Sequence, residues 1–84
     1  MTKEQIENTK WAKEFKKDDP ISYPRAMRYA LETPLFVDIY KNRETGILLY
    51  SIVVRDSDFW MESFYTRKEA IKLCSKMGWS IQEH

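Results

Sequence analysis

Residues 35–65 read LFVDIYKNRETGILLYSIVVRDSDFWMESFY, and the fold turns on how this stretch is parsed. Its apolar residues recur at every second position, the period of a β-strand, and many are β-branched or aromatic. Two polar breaks divide it. Asn42-Arg43-Glu44-Thr45-Gly46 is a hairpin loop whose late glycine suits a positive φ, and Asp56-Ser57-Asp58 is a second turn. The pattern predicts strands over 35–41, 47–55 and 59–65, joined as an antiparallel meander.

Helical signals flank the meander. On the C-terminal side, Thr66-Arg67-Lys68-Glu69 has capping-box spacing and opens a helix. Ala70, Leu73, Cys74 and Met77 fall on one face of that helix, while Lys68, Lys72 and Lys76 repeat every fourth residue on the other. Gly78 is placed as its left-handed C-terminal cap. Residues 79–82 then form a short final strand or fold back on the helix. On the N-terminal side, residues 3–17 read as one helix, capped by Thr2 with Gln5 three residues on, with Ile6, Trp11, Ala12 and Phe15 inward. A shorter helix over 22–31 follows, with Ser22 as its cap and Pro24 in its first turn. Tyr23, Ala26, Met27, Ala30 and Leu31 form its inward stripe. The fold class expected is α+β: N-terminal helices, a three-stranded antiparallel meander and a C-terminal helix packed on one sheet face. The whole chain, 1–84, reads as one domain, with 1–19 a helical segment and 20–84 a compact α+β core.

Composition narrows the function classes. The chain has 84 residues, 43% of them hydrophobic, which excludes a disordered tail. Lys and Arg number 14 against 13 Asp and Glu, a net charge of +1, so long-range steering of a polyanion is weak. One cysteine, Cys74, cannot staple the fold, and a reducing cytoplasm is the expected compartment. The N-terminus lacks an apolar signal core, and no apolar run is long enough to span a bilayer, so no membrane partner is expected. With one histidine, His84, a zinc site is nearly excluded; the two separated glycines, Gly46 and Gly78, build no phosphate loop. No nucleophile–base pair or metal cluster can be assembled, so the reading is that this is no enzyme and takes no cofactor. Cys74 on an apolar helix face reads as a small hydrophobe, and Asp56 and Asp58 as a solvated turn.

The sheet faces are the informative feature. Strict alternation puts Phe36, Asp38 and Tyr40 on one side of the first strand, Ile47, Leu49, Ser51 and Val53 on one side of the second, and Trp60, Glu62 and Phe64 together on the third. Neither side of the sheet is polar, yet the final helix covers only one. The second side calls for a cover: the N-terminal helices, a second copy in a homodimer, or a different protein. Glu62 and Asp38 on an apolar side call for exposure at an edge or a basic partner such as Arg55 or Lys41. The excess of aromatic residues, with Trp11, Phe15, Phe36, Tyr40, Trp60 and Tyr65 as candidates for exposure, suits an interface centre. Phe36, Asp38, Tyr40, Trp60 and Glu62 are therefore the candidate partner-binding residues.

The segment Trp60-Met-Glu-Ser-Phe64-Tyr-Thr66-Arg-Lys-Glu69-Ala70 resembles the strand-to-helix junction of plant ethylene-response-factor DNA-binding domains and of the arm-binding domains of phage-type integrases. The match rests on Trp60, Phe64, Thr66, Glu69 and Ala70. It implies a three-stranded sheet on one C-terminal helix, with the sheet entering the DNA major groove. Those families line the sheet with arginines, whereas here Asp38 and Glu62 stand on it and basic residues lie near the strand ends. The nucleic-acid alternative therefore uses Lys41, Arg43 and Arg55 on the sheet, or Arg67, Lys68, Lys72 and Lys76 on the helix. The chain is also similar to the small accessory proteins of phages and mobile elements. The leading reading, on the apolar sheet side and the aromatic excess, is a small protein-binding module, and that likeness implies an inhibitor of a host or defence enzyme.

Overall fold

The computed structural model describes residues 1–82. His84 lies outside them. The elements are α1 (Lys3–Glu7), α2 (Lys10–Asp18), α3 (Tyr23–Ala30), β1 (Phe36–Glu44), β2 (Ile47–Val54), β3 (Trp60–Phe64), α4 (Arg67–Met77) and β4 (Ser80–Ile81). They fall into two compact units, one spanning Met1–Thr33 and the second beginning at Pro34.

In the first unit, the helix expected over 3–17 is two helices. Thr9 breaks it. Its hydroxyl donates to the Ile6 carbonyl at 2.6 Å and accepts the Ala12 N–H at 3.2 Å, so it closes α1 and caps α2. The Thr2–Gln5 capping box forms as expected. Ile6, Trp11, Ala12 and Phe15 are buried, which removes Trp11 and Phe15 from the exposed aromatics. The Trp11 and Phe15 rings meet at 5.6 Å, and Phe15 meets Tyr23 of α3 at 6.4 Å. Pro24 sits in the first turn of α3, but the Ser22 side chain makes no cap. Instead the Ser22 N–H donates to Asp19 Oδ1 at 3.1 Å. Leu31, expected inward, is 41% exposed because the helix ends at Ala30.

The second unit is a four-stranded sheet in the order β3-β2-β1-β4 with α4 against it. β1, β2 and β3 form the antiparallel meander, and β4 runs parallel to β1. The β1–β2 hairpin is tighter than the expected five-residue loop. Pairing continues to Glu44↔Ile47, leaving only Thr45 and Gly46 in the turn, with φ of 48° and 81°. Two positive φ values give the twist that flanking strands demand of a two-residue turn. Thr66 caps α4 by accepting the Glu69 N–H at 3.2 Å, and its hydroxyl donates to Glu69 Oε1 at 2.9 Å. Gly78 closes α4 at φ 75°, in the left-handed region. The chain then returns to the sheet: the Ser80 and Gln82 N–H groups donate to the carbonyls of Leu35 and Val37, both at 2.8 Å.

The core of this unit lies on the side of the sheet that carries Val37, Ile52 and Val54, together with Leu35, Met61, Ala70, Cys74 and Met77. α4 packs on β2 and β3, with Ala70, Cys74 and Met77 inward. No helix among the described residues is long and apolar enough to cross a membrane.

Candidate protein-docking face

Directly opposed residues of an antiparallel pair project to the same side of the sheet. The register Asp38↔Val53, Tyr40↔Ser51 and Asn42↔Leu49 therefore gathers these residues on the side of the sheet away from Val37 and Ile52. Phe36, two residues before Asp38, shares it. From β3, Ser51↔Ser63 and Val53↔Trp60 bring Ser63 and Trp60 to the same side.

Here the structure corrects the alternation read from the sequence. The register shifts between Ile52 and Val53: Ile52 pairs with Glu62, Val53 pairs with Trp60, and Met61 is the extra residue of a bulge. The bulge swings Glu62 and Phe64 to the side of Ile52 and Tyr50. Glu62 is thus not on the face of Phe36, Tyr40 and Trp60. Its Oε1 accepts the backbone N–H of Ser63 at 3.0 Å, so that amide at the edge strand is engaged rather than offered to another strand. Met61 is fully buried. Burial of one thioether side chain fixes the slip that strict counting misses.

The remaining face carries Phe36 at 47% exposure, Tyr40 at 46%, Trp60 at 43% and, at the hairpin end, Ile47 at 48%. Asp38 lies among them but is only 4% exposed, so its carboxylate is enclosed rather than presented. Tyr65, 70% exposed, follows β3 and is outside the ladder.

A directed chain of hydrogen bonds crosses the face. Trp60 Nε1 donates to Ser63 Oγ at 2.7 Å, the Ser63 and Ser51 hydroxyls are 2.8 Å apart, and Ser51 Oγ donates to Asn42 Oδ1 at 3.2 Å. An indole is a donor only. With Ser63 accepting from it, and Ser51 donating to Asn42, the Ser63 hydroxyl donates to Ser51. Every link runs from β3 through β2 to β1, and such chains strengthen cooperatively. The chain holds the Trp60 ring against the sheet and satisfies the polar atoms at the centre of an apolar surface. Sequence reading passed over Ser51, Ser63 and Asn42. The available signal was two small hydroxyl residues in the middle of otherwise apolar strands.

The basic candidates do not converge. Lys41 and Arg43 pair with Tyr50 and Leu48, on the α4 side of the sheet near the hairpin. Arg55 is at the opposite end of β2, its N–H bonded to the Phe36 carbonyl at 2.9 Å and its guanidinium to Gln82 Oε1 at 3.5 Å. Arg67, Lys68, Lys72 and Lys76 are exposed along α4. Cys74 is buried, and that burial pushes its thiol up to about 11, far from a reactive thiolate. Comparisons with protein-family models, with characterised proteins and with solved structures find no match.

Proposed function

We propose that the chain is a small non-enzymatic protein-binding module that meets another protein through the face of Phe36, Tyr40 and Trp60. One observation carries this reading: large aromatic side chains stand exposed over a hydrogen-bond chain that already satisfies Trp60, Ser63 and Ser51. Covering this face with an apolar surface orphans none of these donors, so the usual penalty for drying polar groups is small. Exposed Trp and Tyr held in place lose little side-chain entropy on binding, which is why such residues dominate interface energetics. An inhibitor that occludes a host or defence enzyme is the form of this function that the likeness to phage accessory proteins favours. The test is capture from a cell lysate with the dilute chain as bait. A protein retained by the wild type and released by Phe36→Ala and Trp60→Ala is the expected result. Retention indifferent to both substitutions removes the reading.

A nucleic-acid reading is favoured by a different observation, the exposed row Arg67, Lys68, Lys72 and Lys76 on α4. It predicts amide shifts confined to α4 on titration with duplex DNA or single-stranded RNA, reversed by added salt.

A further inference from the structure

We infer that, at high concentration and without a heterologous partner, the aromatic face docks on a second copy of this chain, face to face about a two-fold axis. The inference rests on the reading of this face as a protein-docking surface and goes further by naming its occupant.

The charge layout on the face is self-complementary. Glu44 pairs with Ile47 and so stands on this side at the hairpin end. Arg55 stands at the other end, beside Phe36, with its guanidinium reaching Gln82. Between them the one carboxylate, Asp38, is enclosed at 4% exposure, and the side chains that protrude are Tyr40 and Trp60. Two copies placed with their β1 strands antiparallel set Glu44 of each over Arg55 of the other. A parallel arrangement sets like charges together at both ends. An isologous interface, in which one patch meets itself reversed, is the commonest form of oligomer contact.

The chemistry of the surface agrees. Because the central polar atoms are joined from Trp60 to Asn42, the face needs an apolar partner, and a copy of the same face is one. The net charge of +1 leaves two copies little reason to repel. The size is small. β1, β2 and β3 have nine, eight and five residues. At strand spacing they cover roughly 350 Å² in projection. That lies below the usual size of a stable interface. The dimer is accordingly weak and concentration-dependent.

Sedimentation velocity on the full chain, over about a hundredfold range of concentration, tests this. A reversible monomer–dimer equilibrium is expected. Glu44→Lys and Arg55→Glu each place like charges together at two symmetric points and weaken it by about tenfold. An equimolar mixture of these two variants regains the wild-type affinity, because opposite charges then meet at both ends. Trp60→Ala weakens the dimer by at least about thirtyfold. A chain that stays monomeric throughout overturns the second-copy inference alone, and the docking reading is then judged by the lysate capture. A dimer that ignores both charge reversals, or a mixture that fails to recover, also overturns it, since the copies then meet elsewhere.

Discussion

Thr45 is a β-branched residue at φ 48°, where its Cβ crowds the backbone, in a turn that asparagine or glycine adopts with little strain. Thr45→Asn is expected to raise stability by about 0.5–1 kcal/mol, read as a higher denaturation midpoint at unchanged slope. Thr9 shows the opposite fit. One hydroxyl serves the end of α1 and the start of α2, so Thr9→Ala should cost about 1–2 kcal/mol, measured in the same way. The left-handed glycines, Gly46 and Gly78, were legible in the sequence because glycine is the default at positive φ. Thr45 was not, because nothing about threonine signals that conformation. Thr9 was misread because a threonine inside a run of charged and apolar residues satisfies the helical period as well as it ends it.

Among the elements, β3 shows most clearly how a single residue resets a face. Its bulge at Met61 puts Trp60 and Ser63 on the docking side and turns Glu62 away. Ser63→Ala breaks the chain at its midpoint, taking the acceptor from Trp60 and a partner from Ser51. Water reaches part of this site, so the expected cost is modest, about 0.5–1.5 kcal/mol. The more specific readout is the Trp60 indole N–H resonance, which should lose its strong hydrogen-bond shift and exchange faster. In the N-terminal unit, the ring contacts from Trp11 through Phe15 to Tyr23 tie α2 to α3. Trp11→Ala is expected to cost about 3–5 kcal/mol and to speed hydrogen exchange in α2 and α3; a near-neutral result would contradict this packing.

At the scale of the whole molecule, a buried thiol and a half-buried phenol make stability fall at alkaline pH. Burial raises the Cys74 thiol from 9.0 to about 11. The unfolded chain therefore sheds this proton first, and stability falls as pH rises from about 9 to 11. The loss is of order 2–3 kcal/mol. Tyr23 is raised as well, by burial and then by the nearby charge of Glu7, and steepens the fall above its ordinary value of 10.0. Below pH 9 neither group changes the balance. Cys74→Ala should flatten the early part of this decline in denaturation midpoints recorded across the range, and the native thiol should resist labelling.

The sequence by itself determined the meander and the helices on either side of it, because periodicity, caps and turn residues act within a few positions of one another; it did not show the break at Thr9 or decide the final strand. It also determined that apolar residues would stand on both sides of the sheet, beyond what one helix covers, since Phe36, Tyr40, Leu49 and Val53 alternate with the core positions and only Asp38 and Ser51 interrupt them. Only the tertiary structure decided which residues share that side. Strand register is settled by burial on both sides at once: enclosing Met61 inserted a bulge, moved Glu62 to the other side and aligned Ser63 with Ser51. A hydrogen-bond chain through three strands, and a face charged at opposite ends by Glu44 and Arg55, exist only once strands distant in sequence are paired.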